Sequence, residues 1–462
     1  MWGERSRPRA VREHRLAGWF AVGTVCFGAF MGQLDASIVT LTFPAMQRQF
    51  GAVLGTVEWV SLAYLLTVVG LVAAAGRVAD AAGRKLIYLA GFAVFTAASV
   101  ACALAPGLGA LVAFRVVQAV GAAMLQANSV ALVVTSVPVE KMRAALGVQA
   151  AAQALGLALG PVLGGVLVTS VGWQGVFWVN VPVGVVALVA GHYLLPRTRE
   201  RTPLGRFDWP GLLLLLGSST ALLLGISGLS GLPLPGWAAV ACLVVFALLG
   251  ASFVTRERRA ASPIVDLTLL RPTAVAVGLV GALCAYLVLF GPLTLFPQVL
   301  GEGGWTGLVL TALPAGFAVA AVFAERLLPD GFDAGLRGVA GAGVCVLAAA
   351  ALIVDPTGAG WVAGWLAVLG LGLGVFIPAN NVAIMSAIPA RSSAVGGGLV
   401  NMARGLGTAF GVAVVTFSLH LAGSRTSVDP AGPRWALALL AGFGIGAALT
   451  AMRTRPHRST GG

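Results

Sequence analysis

Residues 57–105 read VEWVSLAYLLTVVGLVAAAGRVADAAGRKLIYLAGFAVFTAASVACALA, two long apolar runs around a short segment that gathers Arg77, Asp80, Arg84 and Lys85. A helix rises about 1.5 Å per residue and the hydrocarbon core is about 30 Å thick, so each run is long enough to cross a bilayer. The stretch therefore reads as two membrane helices joined by a charged turn. Similar windows recur from 16–38 at the start, through 306–324, to 435–452 near the end, and give fourteen expected spans. Composition agrees, since 58% hydrophobic and 10% charged residues with a mean hydropathy of +0.94 exclude a water-soluble enzyme. A transmembrane barrel would alternate apolar and polar residues over segments of about 10, whereas these runs are continuous. The 63 glycines and 23 prolines fit membrane helices, where Gly permits close contact and neighbours satisfy the backbone groups that Pro frees.

Charge orients the spans. The net charge of +13 would suggest nucleic acid in a soluble chain, but here the basic residues cluster in alternate connections. With a cytoplasmic N-terminus, all but five of the 29 fall inside; Arg48, Arg425 and Arg434 face out, and Arg115 and Arg404 lie within spans. Both termini are expected to be cytoplasmic. The basic segments Pro196 to Arg206 and Arg256 to Arg271 flank two apolar runs, so a membrane hairpin is expected between two six-span halves. The resulting plan has a tail at 1–15, a six-helix bundle at 16–196, linkers with two extra helices at 197–271, a second six-helix bundle at 272–453 and a tail at 454–462. Residues 154–160 (ALGLALG) match 405–411 (GLGTAFG), each in the fifth span of its half, as duplication of a six-span unit requires. The Arg-rich start precedes a run too long for a signal peptide and is read as a retained first span. The five cysteines lie singly in apolar runs and the four histidines in a tail or near span ends, so neither a metal site nor a membrane His relay is expected.

Three motifs carry chemistry. At the inner turn, Gly76 and Gly83 are expected to allow a tight connection, Asp80 to place an acid at a helix end, and Arg84 with Lys85 to hold the turn at the headgroups. In the fourth span, Arg115 precedes Gln118 and Gly121; an arginine there must find a partner or water. In the fifth, Gly156, Gly160 and Gly164 clear one helix face, Pro161 is expected to bend the helix, and Gly165 completes the pattern.

All three resemble signatures of the major facilitator superfamily. The turn departs from the family pattern at Ala81, where Arg is usual, and the fourth-span motif at Ala119, where Gly is usual; the fifth-span antiporter motif matches at every fixed position. Residues 33–44 (QLDASIVTLTFP), 59–66 (WVSLAYLL), 173–184 (WQGVFWVNVPVG) and 207–209 (FDW) are similar to the 14-span drug:proton antiporter branch, with Ser37 and Thr40 in place of Thr and Asn. The resemblance is strongest from 33 to 210 and thin from 300 to 340. It implies that Asp80 docks on the span beginning near Ser392 and stabilises an outward-facing state, a lock that Ala81 weakens. It also implies that the bend at Pro161 seals one end of a cavity and favours exchange over uniport.

Asp35 is the one acid well inside an expected span. Losing its hydration, such a carboxyl group holds a proton or finds a cation, which makes Asp35 the expected proton carrier. If the first helix ends at Pro44, Asp35 and Arg115 both lie roughly 12 to 14 Å below the outer surface, within reach of each other. A static pair that only fixes packing is the competing reading. Arg404 either snorkels inward or reaches Asp80. No carboxylate appears in spans nine to thirteen, so the substrate need not be strongly cationic. Gln33, Gln118, Gln126, Asn128, Gln153, Gln298, Asn380, Asn381 and Asn401, with Trp59 and Tyr64 as aromatic surfaces beside Phe290 and Phe376, would suit an amphipathic molecule; each would equally serve to join helices.

The expectation is a monomeric, multi-pass exporter of drug-like compounds, working by proton antiport with rocker-switch access, without cofactor, metal or nucleic-acid partner. The bias to Ala, Gly and Arg, with Lys85 and Lys141 the sole lysines, suggests a GC-rich bacterium and its inner membrane. A symporter or facilitator on the same fold is the rival. A membrane transferase would need a His, Asp or Glu cluster at one interface, and a primary pump a phosphate-binding loop; the sequence holds neither.

Overall fold

The computed structural model describes residues 7–198, 208–260, 263–264, 267–301, 304–327, 334–388, 393–422 and 431–453. Among these residues the chain is helical throughout, with no strand. A short α1 (Arg9–Arg12) precedes α2 (Ala17–Ile38), which continues through a 3-10 turn at Val39–Thr42 into α3 (Phe43–Phe50). Then follow α4 (Leu54–Val57), α5 (Trp59–Ala82), α6 (Arg84–Ala103), α7 (Leu108–Ser136), α8 (Val139–Val171), α9 (Gly175–Trp178) and α10 (Asn180–Leu194). The later helices are α11 (Trp209–Leu229), α12 (Gly236–Glu257), α13 (Thr273–Leu300), α14 (Gly304–Leu327), α15 (Ala334–Val354), α16 (Ala359–Ser386), α17 (Ser393–Leu421) and α18 (Ala431–Arg453), with a 3-10 turn at Leu267–Leu270 before α13. Among the described residues, thirteen helices are long and apolar enough to cross a membrane, and a shorter apolar helix covers Trp305–Ala321, where the tenth span is expected.

Two local expectations are corrected. The first span does not stop near Pro44, because Pro44 sits in the first turn of α3, where its missing N–H costs nothing, and the helical path runs on to Phe50. Outside it, the buried Trp173 donates its indole N–H to the Gln49 side-chain oxygen at 2.6 Å and stacks near Phe50, which pins this extension. The charged turn after the second span is also shorter than expected. Helix α5 continues through Gly76 to Ala82, and Gly83 alone, at φ 118°, connects it to α6. Gly76 is a packing residue, 3.8 Å from the Ala127 methyl group of α7 when given a Cβ.

The chain divides into two compact units, Met1–Thr220 with Ala260–Ile264 and Glu302–Gly307, and Ala221–Arg259 with Val265–Gly301 and Leu308–Gly462. Within the first, α2 packs along α8, α7 and α10, and α6 along α7. Gly156 and Gly160 of α8 lie against the Phe30 carbonyl and the Ser37 hydroxyl of α2, and Gly164 against Ile38. A Cβ on Gly91 of α6 would stand 3.0 Å from the Gly121 carbonyl oxygen of α7, and one on Gly121 2.8 Å from that of Gly91. Backbones this close exclude any side chain and gain dispersion contacts where lipid offers no hydrophobic drive.

Within the second unit, α13 packs along α17, α18 and α16, and α15 along α16. Gly407 of α17 lies against the Leu283 carbonyl of α13, and Gly411 would place a Cβ 2.8 Å from the Leu287 carbonyl. A Cβ on Gly341 of α15 would stand 2.7 Å from the Gly372 carbonyl oxygen of α16, and one on Gly372 2.7 Å from that of Gly341. The repetition is residue for residue: Gly91 and Gly341 are each eighth in their helices, Gly121 and Gly372 each fourteenth. Residues 154–160 and 405–411, matched in sequence, thus make matched contacts, the first on α2 and the second on α13.

Candidate functional site

Asp35, on the nineteenth position of α2, is fully buried, as is Arg115 of α7. They pair directly, with Arg115 NH1 2.7 Å from Asp35 Oδ2. The other carboxylate oxygen, Oδ1, accepts from the side-chain amides of Gln118 on α7 and Asn180 on α10, both at 3.2 Å. Arg115 also donates from Nε to the Val60 carbonyl at 2.9 Å and from NH1 to the Gln118 side-chain oxygen at 2.7 Å. The Gln118 amide donates once more, to Ser99 Oγ of α6 at 2.9 Å. The guanidinium lies 4.0 Å from the Tyr64 ring centre and 5.7 Å from that of Phe177. Helices α2, α5, α6, α7 and α10 therefore converge on one buried charge pair.

The chemistry of this arrangement follows from where the charges sit. Removing a carboxylate and a guanidinium from water costs several kcal/mol per ion, on the order of what their pairing and hydrogen bonds return. A buried pair of this kind is therefore a poor way to stabilise a fold. Matching the two units through their glycine contacts places Val288, Leu366, Leu369, Ala349 and Leu440 where the first unit has Asp35, Arg115, Gln118, Ser99 and Asn180. All five are at most 2% exposed. The same packing therefore stands on aliphatic side chains, and the polar set is an addition to it. A proton on Asp35 would remove the anion that holds Arg115 and leave an unpaired cation, so the site can convert protonation into a change of local structure.

The α5–α6 turn differs from expectation again at Lys85. Asp80 near the end of α5 and Arg84 at the start of α6 pair across Gly83 at 2.9 Å, both partly exposed. Lys85 does not reach the headgroups. It is 1% exposed, and its Nζ donates to the carbonyls of His192 and Leu195, both at 2.9 Å. These oxygens end α10, where the last turn has no intrahelical partners and a cation is favoured. Position 392, the expected dock for Asp80, lies outside the described residues. Helix α8 is continuous through Pro161, which removes the bond to the Leu157 carbonyl.

The expected substrate residues fall into three groups. Tyr64 and Gln118 belong to the ion-pair network. Asn128 donates to the Met124 carbonyl of its own helix at 2.8 Å, and Asn380 to the Gly278 carbonyl at 2.9 Å, which ties α16 to α13. The remaining residues, Gln33, Trp59, Gln126, Gln153, Gln298, Asn381 and Asn401, are wholly or partly buried on α2, α5, α7, α8, α13, α16 and α17. Trp59 Nε1, Gln298 Nε2 and the Oδ1 atoms of Asn380 and Asn381 are buried without a hydrogen-bond partner. Arg404 lies over the Tyr286 ring at 5.2 Å.

Several members of the network escaped the sequence. Asn180 sits in the 173–184 motif, which folds as α9 and the start of α10, and nothing in that motif points to Asp35. Ser99 is one hydroxyl among many, and Val60 contributes a carbonyl that no side chain announces. Glu58, next to Trp59, is a second carboxylate with no exposure.

A buried charge pair inside a bundle of apolar spanning helices defines the class: a multi-pass membrane transporter. The chain belongs to the Major Facilitator Superfamily, whose family model matches residues 25–412. It is 32% identical over 401 residues to the multidrug resistance protein Stp of Mycobacterium tuberculosis, covering 84% of this chain and 73% of that one. It is 33% identical to the tetracenomycin C resistance and export protein of Streptomyces glaucescens, with 86% and 75% covered. Its fold is shared with the xylose transporter XylE from E. coli, at a TM-score of 0.64 and 13% identity over 96% of this chain and 97% of that one.

Proposed function

We propose that the protein exports small amphipathic organic compounds, drugs or antibiotics among them, in exchange for protons. In this reading it works as a monomer in a bacterial inner membrane, by rocker-switch alternating access. Its plan is fourteen spans, with six-helix bundles at 16–196 and 272–453, a two-helix insertion at 197–271 and both tails in the cytoplasm. One observation carries the reading: the Asp35–Arg115 pair is built into a unit whose repeat packs without it. Relatives named for drug resistance and export supply the direction and the substrate class.

Roles follow from position. Asp35 carries the proton and Arg115 reports its arrival. Gly76, Asp80, Gly83, Arg84 and Lys85 at the inner turn, and Gly156, Gly160, Pro161, Gly164 and Gly165 on α8, set the conformational equilibrium. Trp59, Gln298, Asn380 and Asn381 each have one buried polar atom without a protein partner and offer it to substrate, and Gln33, Gln126, Asn128, Gln153 and Asn401 complete the proposed substrate set.

A second reading has its own support. Asp35 is 0% exposed and accepts three hydrogen bonds, as a permanent structural pair would. Proteoliposomes with an imposed pH gradient separate the two. Gradient-driven movement of tetracenomycin C that collapses with a protonophore and in Asp35→Asn supports the exchanger. Full coupled movement in Asp35→Asn overturns the carrier role and leaves the pair structural.

A further inference from the structure

Asn180 is the member of the network whose amide is half used. Its Nδ2 donates to Asp35 Oδ1 at 3.2 Å, while its own Oδ1 is buried and accepts from nothing. Gln118, the other amide on the same carboxylate oxygen, is fully committed: its oxygen accepts from Arg115 NH1, and its nitrogen donates to Asp35 and to Ser99. Arg115 has donors only. Asp35 is thus surrounded by groups suited to a carboxylate, and none of these fixed partners can accept from a carboxylic acid.

We propose that Asn180 is the positioning residue that makes the protonated form of Asp35 tenable, by turning its amide over. Amide oxygen and nitrogen have nearly the same size, and the terminal torsion of Asn is broad and roughly two-fold. When a proton arrives on Asp35 Oδ1, that oxygen changes from acceptor to donor, and the facing Nδ2–H becomes a clash of donors. A half-turn about Cβ–Cγ brings the unused Oδ1 of Asn180 to the same place, where it accepts the new O–H. When the proton leaves, the amide turns back and Nδ2 donates again. No bond other than Asp35 O–H forms or breaks. The inference rests on the carrier reading of Asp35 and adds to it a span, α10, whose first residue changes with the proton.

The charged and titratable groups ranged about Asp35 are Arg115 on α7, Tyr64 on α5 and Cys102 on α6. Helix α8 turns glycines toward this helix, and α10 contributes Asn180. Removing the Asn180 amide leaves the carboxylate with Arg115 and Gln118, two of its three donors, but leaves the carboxylic acid without its acceptor. The acid form suffers more.

Infrared difference titration of the purified full chain in nanodiscs reads this without a transport substrate. The protonated-carboxyl band of Asp35 is the one that Asp35→Asn removes. In Asn180→Leu that band should appear at a pH lower by about one unit, a tenfold loss of proton affinity, with Asn180→Ala as the second variant should Leu fail to fold. Asn180→Ser, whose hydroxyl donates or accepts by rotation, should return the titration toward that of the wild type. A band that titrates alike in wild type, Asn180→Leu and Asn180→Ala overturns the role of Asn180 while leaving Asp35 as carrier. The absence of any band sensitive to Asp35→Asn overturns both.

Discussion

Asp35 and Arg115 decide between a structural and a working charge pair, and stability measurements distinguish the two contributions. Asp35→Leu strands a buried guanidinium, a loss of about 3–5 kcal/mol when one partner of a buried pair is removed. The double variant Asp35→Leu with Arg115→Leu puts aliphatic side chains at both positions, as the second unit has with Val288 and Leu366, and should recover most of that loss. It should nevertheless show no proton-coupled movement. Thermal unfolding of the three proteins in detergent checks the first statement; a double variant as unstable as the single one contradicts it. Lys85 makes a separate case. Lys85→Met leaves the His192 and Leu195 carbonyls of α10 without their donor, at about 1–3 kcal/mol for buried unsatisfied groups. The melting temperature should fall, and an unchanged one would show that the lysine is dispensable to α10. The sequence marks Lys85 as a headgroup lysine because a basic pair at an inner turn usually is one; only the fold places the end of α10 over it.

At the scale of elements, hydropathy locates the spans because the lipid-facing and buried faces are both apolar, so whole runs stand out. The boundaries that moved did so for local reasons: α5 runs past Gly76, which tolerates the helix, and stops at Gly83, where φ 118° ends it. The Gly-x-x-x-Gly faces on α8 and α17 are legible as a periodic pattern. The equally close Gly91–Gly121 and Gly341–Gly372 contacts are not: Gly91 and Gly121 belong to no period in their helices, and Gly341 and Gly372 lie among several other glycines from which nothing local singles them out. Gly121→Val and Gly372→Val should each force two backbones apart, costing about 1–3 kcal/mol or more. Similar losses from the two are expected, because the contacts correspond; a neutral Gly372→Val would break the correspondence. At the turn between α15 and α16, the Asp355 carboxylate accepts from the Thr357 hydroxyl and from the Thr357 and Gly358 backbone N–H groups. These bonds, the Thr357 hydroxyl first, hold its pKa below the usual carboxylate value. A depressed pKa contributes stability that is present at neutral pH and lost as pH falls through the carboxylate range. The melting difference between wild type and Asp355→Ala should therefore shrink below about pH 4.

At the scale of the whole molecule, the motifs identified the family, and the structure adds what motifs do not contain: the partners of Asp35. Depth arithmetic brought Asp35 and Arg115 within reach, although it assumed that the first helix ended at Pro44. The meeting depends instead on α2 and α7 packing side by side. Gln118 was visible beside Arg115, whereas Asn180 and Ser99 come from helices that nothing local links to the pair. Exchange is reciprocal, so a gradient of substrate drives protons the opposite way, just as a proton gradient drives substrate. The most direct measurement uses proteoliposomes filled with a pH-sensitive dye, with no pH gradient imposed and a gradient of tetracenomycin C across the membrane. Proton movement opposite to the compound, present in wild type and in Asp355→Asn but lost in Asp35→Asn, is the predicted result. Movement of tetracenomycin C with no accompanying proton flux, or with a flux that Asp35→Asn leaves intact, would contradict it.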